Sequence, residues 1–196
     1  MYDAHDEIYV KKSNSLTGVD KRYWSIGETS LSLCINAAEE LINDYSQKIK
    51  DENFKSKIDF LIVITQTPDN RIPASAYSVH DTLNLNHKCG CLTINAGCTA
   101  YVDGVSLAYD LIMRRNLKNV LLLVGDVLSK FLNKSDFGTV SVFGDAGSAT
   151  LITSRDKNIK YLHNSGVIPN SSKALHLGNK PSDDNKLTMD GFRVFT

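Results

Sequence analysis

The chain has 196 residues, 42% of them apolar, with Lys and Arg matching Asp and Glu at 22 each. That apolar share is enough for a sizeable core, and the even balance, with no basic cluster denser than Lys11-Lys12 or Arg114-Arg115, excludes nucleic acid and acidic membrane surfaces as main partners. The polar, acidic start from Met1 to Glu7 is unlike a signal peptide, and the longest apolar runs, Phe60 to Ile64 and Val120 to Val124, are too short to span a bilayer, so the expected location is cytoplasmic.

In chain order, the first clear element is an amphipathic helix. Leu31, Cys34, Ile35, Ala38, Leu41, Ile42 and Tyr45 recur at three- and four-residue steps, and Glu28-Thr29-Ser30 supplies cap candidates ahead of them. Residues 58–65 form a continuous β-branched-rich run of the kind buried on both faces of a parallel sheet, ended by the turn Thr67-Pro68-Asp69-Asn70. A second helix is expected after Pro73, with Ala76, Val79 and Leu83 inward, and Leu92 to Asn95 reads as a short strand. Tyr101, Val105, Ala108 and Ile112 repeat at helical spacing within 99–115, and Val120 to Val124 is the next strand. The small residues of 142–149 feed a further strand, and residues 164–185, rich in Ser, Asn, Asp, Gly and Lys, read as loop. Strands alternating with helices predict an α/β layer, helices on both faces of a mixed, mostly parallel sheet.

Four cysteines without a secretion signal do not point to a disulfide framework, and Cys89-Gly90-Cys91 has no second pair downstream to complete a zinc site, so no metal is expected. Cys34 falls on the helix stripe as a small buried hydrophobe. His80 and His87, in or after the second helix, read as solvated or capping residues. Cys98 differs: it stands at the joint between a strand and a helix, flanked by the small residues Ala96, Gly97, Thr99 and Ala100. A thiol at a helix N-terminus has its thiolate stabilised by free backbone N–H groups, which makes Cys98 the candidate nucleophile. Phe143-Gly144-Asp145 lacks phosphate-loop spacing, so nucleotide binding is not indicated; its small residues suit a strand passing close to the floor of the site.

Five phrases together resemble 3-oxoacyl-[acyl carrier protein] synthase III of the thiolase-like superfamily. They are residues 16–22 (Leu16-Thr17-Gly18 to Arg22), 65–76 (Thr65-Gln66-Thr67-Pro68-Asp69, then Ile72-Pro73 and Ala76), 95–101 around Cys98, 143–149 and 189–195 from Met189-Asp190-Gly191. The match runs from about residue 16 to the end and resembles only the family's first βαβαβ half. The whole chain is thus expected to be one N-terminal half-domain. Residues 1–15 would be a partial N-terminal segment, 156–188 loop-rich, and 189–196 the start of a link to a second half.

The resemblance implies a cysteine acyl-enzyme on Cys98 and decarboxylating condensation with a malonyl thioester, completed by a His and an Asn of the second half. It implies no tightly bound cofactor, with acyl-CoA or acyl-carrier protein and malonyl-carrier protein as substrates, carrier protein as partner, and a homodimer. The acyl channel would be lined from Leu128, Phe143 and Met189, with Ile72 reaching into the partner subunit's channel. Members that take acetyl-CoA hold its adenine with a Trp and an Arg where this chain has Lys12 and Leu16, which favours a carrier-bound donor. The first half alone is expected to be inactive; the alternative is a non-catalytic interaction subunit that pairs with a separate chain bearing the other half.

Overall fold

The computed structural model describes residues 11–12, 14–15, 17–154, 162–177, 186–191 and 194. Leu16 and part of the 1–15 and 156–188 segments lie outside them. The described chain divides into two compact units. The larger comprises Gly27–Asp126 and Ala146–His163; the smaller draws on residues up to Ile26, on Val127–Asp145 and on residues from Asn164.

The larger unit is built on a four-stranded sheet in the order β2-β1-β3-β4. Strand β1 (Phe60–Ile64) pairs in parallel with both β2 (Gly90–Ile94) and β3 (Asn119–Asp126), and β4 (Ala146–Thr153) runs antiparallel to β3. Helix α1 (Ser30–Ile49) precedes β1, α2 (Ser75–Thr82) joins β1 to β2, and α3 (Ala100–Arg115) joins β2 to β3. The sheet is mixed and mostly parallel, as the apolar runs predict.

Because side chains alternate along a strand, the two faces of β1 and β3 carry separate cores. Leu61, Val63, Leu121 and Leu123 pack with Leu31, Cys34, Ala38 and Ile42 of α1 and with Ala76 and Val79 of α2. Ile62, Ile64, Val120 and Leu122 pack with Ala100, Ala108, Leu111 and Ile112 of α3. The stripe of α3 is rotated from its expected position, since Leu111 is buried whereas Tyr101 is 43% exposed. Small residues at the phrase after Phe143 do let a strand pass closely, but against α1: a Cβ on Gly147 would come within 2.5 Å of the Leu33 carbonyl carbon.

The smaller unit holds the short helix α4 (Phe137–Val140) and a two-stranded antiparallel ribbon of β5 (Leu175–His176) and β6 (Thr188–Met189). Leu128, Leu132, Val140 and Leu187 are buried together, with Trp24, Phe143, Leu175 and Leu177 packed on them. Asp145 organises this unit: its Oδ2 accepts from the Ser25 N–H at 2.8 Å and the Ser129 hydroxyl at 2.5 Å, its Oδ1 from the Ser129 N–H at 2.9 Å, and its own N–H donates to the Tyr23 carbonyl. Among the described residues no helix is long and apolar enough to cross a membrane.

Candidate active site

In the larger unit the loops after β1 and β2 both leave the C-terminal ends of parallel strands, and the helices that follow go to opposite faces of the sheet. Such an edge is where open α/β sheets leave room for a ligand. Cys98 sits on this edge, in a 3₁₀ turn of Gly97–Thr99 between the end of β2 and the start of α3. Gly97 has φ +73°, a left-handed backbone that suits glycine, and this bend carries the chain from the strand into the helix. Thr99 gives α3 no side-chain cap; the 3₁₀ turn runs into the helix instead, with the Ala100 N–H donating to the Gly97 carbonyl.

All four cysteines are free, and only Cys98 among them is exposed. Burial pushes the Cys34 thiol up to about 12, with Asp126 and Asp69 acting in the same direction. Burial also pushes Cys89 up to about 12, aided by Cys91 and Asp59, and raises Cys91. These three hold their protons at neutral pH. His80 lies in α2 with its Nε2 3.2 Å from the Asn86 carbonyl, a contact that closes the loop after that helix. Among the described residues no three His, Cys, Asp or Glu side chains come together as a metal site would require.

Of the other residues singled out from sequence, Ile72 belongs to the same unit as Cys98, in the loop before α2, and is 88% exposed. Leu128 and Phe143 meet in the apolar cluster of the smaller unit, and Met189 lies in its ribbon opposite Leu175. The two units thus divide the predicted set, Cys98 and Ile72 in one, Leu128, Phe143 and Met189 in the other.

Sequence reasoning passed over Asp126, the last residue of β3. Its Oδ1 accepts from Thr65 Oγ1 (3.0 Å), the Gln66 N–H (2.6 Å), and the Thr67 N–H and Oγ1 (both 3.0 Å), while its Oδ2 accepts from Gln66 Nε2 at 3.3 Å. The sequence shows only a charged residue ending an apolar strand; that it meets the Thr65–Thr67 turn follows from the pairing of β1 with β3.

Residues 92–166 match the family model for 3-oxoacyl-[acyl-carrier-protein] synthase III. The chain is related to this family. It is 34% identical over 142 residues to beta-ketoacyl-[acyl-carrier-protein] synthase III of Clostridium perfringens, covering 72% of this chain and 42% of that protein. It is 30% identical over 198 residues to a putative 3-oxoacyl-[acyl-carrier-protein] synthase 3 of Campylobacter jejuni, covering 97% and 54%. The crystal structure of a 3-oxoacyl-(acyl-carrier protein) synthase from Burkholderia xenovorans superposes with a TM-score of 0.81 at 32% identity, over 99% of this chain and 58% of that one. The fold is therefore the thiolase-like α/β fold of these synthases. The chain covers the N-terminal part of the family and spans about half the length of the curated relatives it matches.

Proposed function

We propose that the chain carries the nucleophile half of a 3-oxoacyl-[acyl-carrier-protein] synthase III-type acyltransferase, with Cys98 as the acyl-accepting residue. The observation that carries this reading is an exposed thiol in the turn that opens a helix, at the C-terminal edge of parallel strands, in a chain related to such synthases. Cys98 Sγ attacks the carbonyl of an acyl thioester, and collapse of the tetrahedral intermediate expels the donor thiol and leaves the acyl group on sulfur. Backbone N–H groups at the α3 start are suited to stabilise the intermediate's oxyanion. A malonyl thioester then loses carbon dioxide; the electron pair left on carbon attacks the acyl-enzyme, forming the new carbon–carbon bond and releasing Cys98 as thiolate.

Decarboxylation needs donors to the enolate oxygen, and the resemblance assigns these, a His and an Asn, to a second half beyond the part matched here. The 196-residue chain by itself is accordingly proposed to accept an acyl group without turning over, because members of a catalytic constellation act as a unit. Leu128, Phe143, Met189 and the exposed Ile72 are proposed for the acyl channel, Ile72 from across a dimer. Lys12 in place of the adenine-holding Trp favours an acyl donor on carrier protein over one on coenzyme A. An open β2 edge with Leu92 43% exposed supports homodimerisation along that strand. A monomer by light scattering at tens of micromolar would remove that part of the proposal.

The test of the nucleophile is direct. After incubation with an acyl thioester, intact-mass measurement should show one acyl increment, mapped by peptide analysis to Cys98 and missing in Cys98→Ala. An increment that persists in Cys98→Ala refutes the assignment.

A further inference from the structure

The turn that presents Cys98 is under-determined by its own sequence. Gly97 restricts the backbone least of all residues, Thr99 supplies no side-chain cap, and the turn closes on itself through the Ala100 N–H to the Gly97 carbonyl. A nucleophile needs a fixed geometry, so something outside the turn must hold it. The neighbouring wall is Gln66, on the loop after β1, whose Oε1 lies 3.9 Å from where a Cβ on Gly97 would stand.

Gln66 is in turn fixed by Asp126. The carboxylate takes the backbone N–H groups of Gln66 and Thr67, both threonine hydroxyls and the Gln66 side-chain amide, so main chain and side chain of this loop are gripped at one point. Thr65 and Thr67 are buried, and Ser30 Oγ lies 2.7 Å from Thr67 Oγ1. With the Thr67 proton given to Asp126, that contact has Ser30 as donor, which ties the start of α1 into the same knot. Because Nε2 is committed to Asp126, the amide oxygen is the end turned to the Cys98 turn.

We infer that Asp126 is a positioning residue for Cys98, acting through Gln66. The inference rests on the reading of Cys98 as nucleophile, and it adds to that reading the device that holds the thiol in place. Asp126 and Gln66 act in series: removing either releases the same turn, so their effects on Cys98 should not add.

The experiment uses the 196-residue chain, with Asp126→Ala to remove the grip and Gln66→Ala to remove only the wall. Iodoacetamide alkylation of Cys98, followed by mass spectrometry with Cys91 as internal reference, is expected to slow roughly threefold or more in each variant, with no further loss in the double variant. Amide exchange in peptides spanning 95–100 should rise in the same variants. A purely structural Asp126 would lower the melting temperature and leave both readouts unchanged, and that result overturns the inference. So does additive slowing in the double variant. If Asp126→Ala does not fold, Gln66→Ala alone decides by the same criteria. A wild-type Cys98 that reacts no faster than Cys91 instead overturns the nucleophile reading, and exchange at 95–100 then still decides whether Gln66 and Asp126 hold the turn.

Discussion

The first and third helices begin in opposite ways. At α1, Thr29 Oγ1 accepts from the Ser32 N–H at 3.1 Å and Ser32 Oγ accepts from the Thr29 N–H at 2.9 Å, a reciprocal cap that satisfies donors the helix cannot satisfy itself. At α3, Thr99 offers no such bond, and Asp103, the acid of the first turn, has its carboxylate 3.2 Å from His163 Nε2. Each helix also carries a thiol near its start, Cys34 sealed in the core and Cys98 exposed. The α1 start is thus closed by side chains, whereas the α3 start is closed by backbone alone, the Ala100 N–H donating to the Gly97 carbonyl of the turn before it.

The largest effect that would break this contrast concerns the two thiols. Cys98→Ala should abolish acyl transfer to the chain, whereas Cys34→Ala should leave the acyl increment in place, as read by intact mass. Transfer of the label to Cys34 in the first variant would void the distinction.

Alkaline pH sharpens it from the other side. The folded-state pKa of Cys34, and that of Cys89, is raised to about 12 from an ordinary 9.0. Between these values the unfolded chain has lost the thiol proton that the folded chain keeps, so the contribution to stability is intact below about pH 9 and is lost as pH rises through about 12. Denaturant midpoints should fall over this window. In Cys34→Ala the curve should be flatter there, though lower throughout because a buried group has been removed. A fall of equal steepness in wild type and variant would contradict the assignment to Cys34.

The grip of Asp126 is expected to matter less for stability than for geometry. Asp126→Asn keeps the shape but loses the charge and one acceptor, and about 2 kcal/mol is the ordinary cost of weakening hydrogen bonds to a charged group. Urea unfolding gives the value; a change within a few tenths would mean that the Thr65–Thr67 loop finds other partners.

The α1 stripe, its cap cluster and the buried run of β1 were legible because each is encoded by near neighbours in sequence. The strand-to-helix joint at Cys98 was legible for the same reason. Tyr101 was misplaced because spacing alone puts it on the stripe with Val105 and Ala108. The inward face is instead set by the small Ala100, Gly104 and Ala108, which let α3 approach the sheet, and the bulky Tyr101 is left at the rim with its hydroxyl 3.5 Å from Thr150 Oγ1. The Asp126 knot joins residues 30, 65–67 and 126, and Asp145 joins residues 25 and 129. Such contacts arise from strand order and loop paths, for which no local pattern exists. In the same way, the 3₁₀ turn before α3 follows from the bend at Gly97 rather than from helical periodicity.

The smallest expected effect tests the α1 side of the comparison. Thr29→Ala removes the acceptor for the Ser32 N–H and also the donor to Asp69 Oδ2 at 2.7 Å, while leaving the Ser32 side chain able to reach back. Loss of a Thr cap costs about 1 kcal/mol, and the Asp69 contact, being exposed, adds little to this. Urea unfolding should therefore show a modest loss with an unchanged slope. The Cys98 alkylation rate should stay at the wild-type value, since α1 contributes to the Asp126 knot through Ser30 and not through Thr29. A slowed Cys98 in this variant would mean that the two helix starts are coupled, and that a side-chain cap and a backbone-closed turn are parts of a single device.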